Sequence, residues 1–175
     1  RGLAFWLCAV ARCPCVVRCV GVGWGDGRRL SRPFKNGATM PNSTNPSPDV
    51  VAEAAGALWP IHIEAPVSWS DMDAFGHVNN TMYLTWFEDA RIAWFEACDV
   101  MGEMRVPGKE GVGPILASTS CRFLRPVAYP DHIVAEARTV RVGRSSFTMA
   151  YRVRSATLNA VVAEGEGVVV MVDYA

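Results

Sequence analysis

The sequence predicts an α+β domain in which one long helix packs against an antiparallel sheet of five strands. Three observations carry this. One stretch, Tyr83–Met101, repeats its apolar residues with the period of an α-helix. The stretch before it, Ile61–Trp69, alternates with period two, and every segment after Pro114 reads as strand. The later strands are joined by short turns, which favour antiparallel neighbours, and a helix stripe of this length needs a sheet to cover it.

In order along the chain, Ile61, Ile63, Ala65, Val67 and Trp69 share one face of the first strand, and Pro66 marks it as an edge strand or a bulged one. The period then changes. Tyr83, Phe87, Ala90, Trp94, Ala97 and Met101 are spaced four, three, four, three and four, an apolar stripe about twenty residues long. Asn79 suits the N-cap, Val78 can staple onto Tyr83, and Gly102 is the expected C-terminal stop. A Gly/Pro-rich connection, Val106–Pro114, leads to strands at Ile115–Leu124, Ile133–Val142, Ser146–Arg154 and Val161–Val172. The run Val168–Asp173 predicts a last strand buried on both faces or covered by a partner chain.

A chain of 175 residues has room for one domain with a real core. Its net charge of zero conceals an asymmetry: residues 1–39 hold seven basic side chains against Asp26 alone, leaving ten basic and sixteen acidic groups after them. An acidic domain lacks the clustered positive charge that nonspecific nucleic-acid binding requires. Four of the six cysteines also lie in that first segment, where Cys13-Pro-Cys15 is too closely spaced for a zinc or redox pair. Cys98 and Cys121 read as small buried hydrophobes of a reduced, cytoplasmic protein. Residues 1–39 have no steady period and precede the first methionine, Met40, so they are expected to be upstream translation or an N-terminal extension. Residues 40–58 are expected to be a flexible segment and 59–175 the domain. No apolar run approaches the ~20 residues that span a bilayer, so no membrane partner is expected.

The chemistry concentrates where the first strand gives way to the helix, in Trp69-Ser-Asp-Met-Asp-Ala-Phe-Gly-His-Val-Asn-Asn80. A carboxylate there can attack a polarised carbonyl or activate water, and Asp73 is the candidate for that work. A loop aspartate can also simply hydrogen-bond its own backbone. Asp71 has two roles open, bracing the loop or reacting. His77, four residues on, can orient the carbonyl, share proton transfer, or donate to a backbone carbonyl. Asn79 and Asn80 suit a helix cap, and a helix start leaves backbone N–H groups free to hold a carbonyl oxygen. Asp71, Asp73 and His77 are ligand types, but no second cluster accompanies them, so no metal or other cofactor is expected. Asn79-Asn-Thr81 and Asn42-Ser-Thr44 match the glycosylation pattern and are expected to be chance matches, since Leu3–Val10 is short for a secretory signal core.

The order strand, Asp-rich loop, long helix, four strands resembles the hotdog-fold thioesterases, and most of all their 4-hydroxybenzoyl-CoA thioesterase branch. Asp71-Met-Asp73, Gly76-His-Val-Asn-Asn80, Tyr83-Leu84, Trp86-Phe-Glu88 and Ala90-Arg91 carry the resemblance, with Tyr129-Pro-Asp131 and Gly143-Arg-Ser-Ser-Phe147 further on. It implies a hotdog fold, one central helix wrapped by a five-stranded antiparallel sheet, and hydrolysis of an acyl-CoA to acid and CoA. It puts the nucleophile or general base at Asp73 with His77 assisting, and the carbonyl-binding amide near Asn80. Asn79, Tyr83 and Glu88 are further substrate-binding candidates. It implies a homodimer or homotetramer with the nucleotide at a subunit junction. Arg122, Arg125, Arg141 and Arg144 flank the strands and could bind its phosphates, and Arg144, in the turn with Ser145 and Ser146, is the candidate. The related Asp-x-Asn-x-His motif of plant acyl-carrier-protein thioesterases matches at Asp73 and His77 but has Phe75 at its centre, which favours the CoA branch. The rival readings are a noncatalytic acyl-thioester binding protein on the same fold, an acyl-carrier-protein thioesterase, and an enoyl-thioester hydratase.

Overall fold

The computed structural model of this chain describes residues 59–101 and 111–174. The expectations for residues 1–39 and 40–58, for Gly102 and for most of the Val106–Pro114 connection fall outside the described residues. Strand β1 (Ile61–Val67) leads through a short 3-10 turn, Trp69–Asp71, to helix α1 (Asn80–Ala97). Four strands follow, β2 (Val112–Phe123), β3 (Asp131–Val142), β4 (Ser146–Ser155) and β5 (Ala160–Asp173). They form one antiparallel sheet in the order β1-β3-β4-β5-β2. Pro66 therefore lies on an edge strand, as its missing donor demands, and so does Pro114 in β2.

Helix α1 lies on the sheet, with Tyr83, Trp86, Phe87, Ala90, Trp94 and Phe95 buried. Trp94 and Phe95 pack on Phe147 of β4, with ring centroids 5.1 and 6.1 Å apart, and Phe87 stacks on Tyr151 at 5.0 Å. Gly165 makes the Phe87 contact possible, because a side chain there would collide with that ring and with the Ser120 carbonyl. The helix stops one turn before the expected end. Asp99 takes a left-handed conformation (φ 50°), which Asp tolerates, and leaves Ala97 exposed instead of on the buried stripe. Arg91, absent from that stripe, is buried beside Tyr151, and burial pushes the Tyr151 phenol up, opposed by the guanidinium.

Two further expectations need correction. Cys98 is buried as expected but is disulfide-bonded, so it is not the reduced thiol the composition implied. Within one chain β5 is not buried on both faces, the first of the two readings of that run: Val169 and Met171 point into the core, while Val168 and Val170 are half-buried. Cys121 is a free, half-buried thiol whose pKa burial pushes up to about 11, so it behaves as the small hydrophobe predicted.

On the outer face the strands carry a row of opposed charges. Arg122 donates to Glu164 at 2.6 Å, and Arg152 pairs with Glu136, itself opposite His62. Asp131, at the start of β3, fixes the β4–β5 turn. Its carboxylate accepts hydrogen bonds from Ser155 Oγ (2.5 Å), the His132 N–H (2.7 Å) and the Thr157 N–H (2.9 Å). Burial pushes the Asp131 carboxyl up, but these donors outweigh it and the net shift is downward. A pKa lower in the folded state stabilises the fold above the ordinary aspartate range, and that contribution is lost as pH falls through the folded value. Urea denaturation of Asp131→Asn is therefore expected to show lower stability than the parent at neutral pH, with the difference shrinking toward pH 3. A difference that stays constant with pH contradicts this role.

Candidate active site

The site is built by the twelve residues between β1 and α1. Ser68 donates its N–H to Asp71 Oδ2 at 2.8 Å and so starts the 3-10 turn. Met72 and Val78 then pair as an isolated antiparallel bridge, closing a tight hairpin over Asp73–His77. Within it the Asp73 N–H donates to the His77 carbonyl (2.8 Å) and the Gly76 N–H to the Asp73 carbonyl (3.1 Å). A loop of this length ends in a left-handed residue, which Gly76 supplies with φ 80°. The loop is tied down at both sides. Asn79 N–H donates to the Asp71 carbonyl and Val78 N–H to the Val127 carbonyl, both at 2.8 Å. Asp71 thus takes the bracing role of the two open to it.

Asn79 caps the helix. Its Oδ1 accepts from the Thr81 N–H (2.9 Å) and the Thr81 hydroxyl (2.8 Å), and its carbonyl accepts from the Met82 N–H (2.9 Å). The cap skips one donor: the Asn80 N–H has no acceptor among the described residues. An unpaired amide at the positive end of an 18-residue helix is a ready-made site for a partial negative charge.

Asn80 also lines a cleft of about 550 Å³. One wall is the loop, with Asp73, Phe75 and His77. The helix start supplies Val78, Asn80 and Tyr83, and the end of β2 and the chain after it supply Phe123, Leu124, Arg125 and Pro126. Asp73 Oδ1 accepts the Phe75 N–H at 2.8 Å, the ordinary turn bond of a loop aspartate. Its second oxygen has no protein partner among the described residues. Tyr83 forms the floor, packed edge-on against Trp86 and Phe123 with centroids 5.2 Å away in each case. Burial pushes the Tyr83 phenol up, and a hydrogen bond to the Val127 backbone opposes the shift.

The structure therefore gathers Asp73, His77, Asn80 and Tyr83 in one cleft, with Asn79 just beneath as the cap. Glu88 is outside the cleft lining, on the exposed helix face with its carboxylate 3.8 Å from Arg91. Arg144, Ser145 and Ser146 occupy the β3–β4 turn at the opposite end of the sheet. Since β3 starts beside the loop, a strand of this length separates them from Asp73 by roughly 35 Å at about 3.3 Å per residue. Phe123 and Leu124 have no motif around them in the sequence, and Arg125 stands out there only as one of four arginines flanking the strands. All three reach the cleft only because β2 crosses to the far side of β5. Among the described residues no three His, Cys, Asp or Glu side chains meet in a geometry that could hold a metal ion, and no helix is long and apolar enough to cross a membrane.

Residues 67–175, from the end of β1 through the whole sheet, match the model of the thioesterase-like superfamily. The chain belongs to that superfamily. This thioesterase-like chain is 31% identical to a thioesterase from Thermus thermophilus solved in complex with coenzyme A and Zn, with a TM-score of 0.54 over 64% of this chain and 83% of that one. It shares its fold with Slr0204, a 1,4-dihydroxy-2-naphthoyl-CoA thioesterase from Synechocystis, at 17% identity and a TM-score of 0.57 over 66% of this chain and 83% of that one. It is also 33% identical over 85 residues to the YsmA protein of Bacillus subtilis (strain 168), a match covering 49% of this chain. The chain spans about half the length of that curated relative (54%). The expected hotdog fold, a five-stranded antiparallel sheet around one helix, is the fold of this thioesterase-like chain.

The cap can be tested alone. Asn79→Ala is expected to cost about 1 kcal/mol of stability, whereas Asn79→Asp retains an acceptor and most of the parent value. Equal melting temperatures for Asn79→Ala and the parent would contradict the capping geometry.

Proposed function

We propose that this chain hydrolyses acyl-CoA thioesters to a carboxylic acid and free CoA. The observation that carries the reading is that Asn80, at a helix N-terminus and with no acceptor for its amide among the described residues, lines the same cleft as Asp73 and His77. The thioester oxygen accepts from the Asn80 N–H, which lowers the energy of the oxyanion as the carbonyl carbon becomes tetrahedral; donors of this kind are worth about 2–4 kcal/mol. Asp73 acts in one of two ways. As general base it takes a proton from water, whose oxygen bonds to the carbonyl carbon while the C–S bond breaks. As nucleophile it displaces the thiolate directly, and water then cleaves the mixed anhydride. In both, His77 orients the carbonyl or passes a proton to the departing sulfur, and the products are R–COOH and HS–CoA.

The working unit in this proposal is a homodimer or homotetramer in the cytoplasm, using no cofactor. Exposed apolar side chains support a covering subunit: Phe75 and Phe123 in the cleft lining, and Trp69 and Tyr129 outside it. So does the free edge of β2. Glu88, Arg144, Ser145 and Ser146 contribute to substrate binding from a second subunit, since they lie away from the cleft of their own chain. The branch assigned is the 4-hydroxybenzoyl-CoA thioesterase-like one, with CoA rather than acyl-carrier protein as carrier. The Asp73–Phe75 turn bond supports the noncatalytic rival, in which Asp73 only shapes the loop.

Thiol release from a panel of acyl-CoAs, with the parent and Asp73→Asn, separates the two. Asn keeps the turn acceptor, so the loop is retained, yet kcat is expected to fall at least ~100-fold with little change in KM. Unchanged kcat in Asp73→Asn would remove Asp73 from the chemistry.

A further inference from the structure

The cleft holds one permanent cation that the hydrolytic scheme leaves idle. Arg125 is an exposed residue that lines the cleft together with Asp73, His77 and Asn80, and its guanidinium has no carboxylate within ion-pairing distance among the described residues. Its backbone is held, because the Leu124 and Arg125 N–H groups both donate to the Val162 carbonyl, at 2.8 and 3.2 Å. Pro126 follows directly, so φ is restricted on one side of this short segment. The neighbours of Arg125 in this lining are apolar, Phe123 and Leu124.

Resting on the thioesterase reading above, we infer that Arg125 binds a carboxylate carried by the acyl group, and that the site prefers thioesters of dicarboxylic acids. Distance separates this from binding of the nucleotide. A rounded space of 550 Å³ is about 10 Å across, so a thioester seated between Asp73 and the Asn80 amide has Arg125 within the reach of a short acyl chain. The pantetheine arm runs roughly 15 Å from sulfur to the first phosphate when extended, at bond lengths typical of a peptide-like chain. The phosphates therefore lie beyond a cleft of this width, which leaves the acyl group as the part of the substrate able to present an anion to a cation lining it. Charge balance points the same way. A second carboxylate in the cleft would be repelled by Asp73 unless a cation compensated it, and a guanidinium binds carboxylate through two parallel hydrogen bonds.

Thioesters of N-acetylcysteamine, which have no phosphate, test the assignment when compared with their CoA counterparts. The readout is the ratio of kcat/KM for the glutaryl over the pentanoyl thioester, in the parent and in Arg125→Gln. The parent is expected to favour glutaryl, and Arg125→Gln to lower the ratio about tenfold with both carriers. Arg125→Lys, which keeps the charge but not the fork, is expected to fall between. An unchanged ratio overturns the inference. So does a loss confined to CoA esters and equal for both acyl groups, which would make Arg125 a phosphate ligand. If the parent releases no thiol from any of them, the hydrolase reading fails by itself. Calorimetric affinities for the same glutaryl and pentanoyl thioesters then decide Arg125, the same tenfold change in their ratio being the supporting result and no change the overturning one.

Discussion

An α-helix cannot satisfy its own first amides, and the placement of this one obligation organises the molecule. The sheet curls around α1 and buries the aromatic face of the helix, so its N-terminus is held at one end of the sheet. There the donors are divided. The Asn79 side chain takes Thr81, its carbonyl takes Met82, and Asn80 is left over. The hairpin over Asp73–His77 brings Asp73 into the lining of the cleft that Asn80 also lines. It is clamped at three points, by the Met72–Val78 bridge, by Asn79 on Asp71 and by Val78 on Val127.

Packing further along the helix preserves the arrangement. Phe87 stacked on Tyr151, and Trp94 against Phe147, fix the axial position of α1 on β4. The bare backbone at Gly165 admits the Phe87 ring, so the sheet and helix approach closely where a side chain would hold them apart. Tyr83 is the hinge between core and site: its ring is buried against Trp86 and Phe123, and the same ring floors the cleft. Any shift of the helix along the sheet would move the Asn80 amide relative to Asp73.

The elements with strong local signals were legible. The spacing from Tyr83 to Trp94 gave the helix and its buried face, alternation gave β1, and Asn79 gave the cap. The helix end was misread because Gly102 is a stronger stop signal than Asp99, yet an aspartate in the left-handed conformation ends the helix sooner. The burial of Arg91, a residue otherwise legible only as part of the motif, has no local signal, because a charged residue on a helix is ordinarily solvated and here the Tyr151 neighbourhood buries it. At the site, residues contiguous in sequence were found, namely Asp73, His77, Asn80 and Tyr83. Phe123 was not, and Arg125 was legible only as one of four strand-region arginines able to bind phosphate, because the sheet order that brings the end of β2 to the cleft is a long-range property. Arg144 carried a phosphate-binding signature but sits at the other end of β3, a distance that no local pattern contains.

The claim at the centre is that one backbone N–H, that of Asn80, polarises the thioester. Asn80 is the first residue of the helix, a position where proline is well tolerated, and Asn79 already has the extended backbone (φ −56°, ψ 135°) that precedes a proline without strain. Asn80→Pro therefore deletes the donor and keeps the helix, while Asn80→Ala deletes the side chain and keeps the donor. The account predicts that kcat for thiol release is at least ~100-fold lower in Asn80→Pro than in Asn80→Ala, with closely similar melting temperatures. Equal kcat values in two equally stable variants would contradict it.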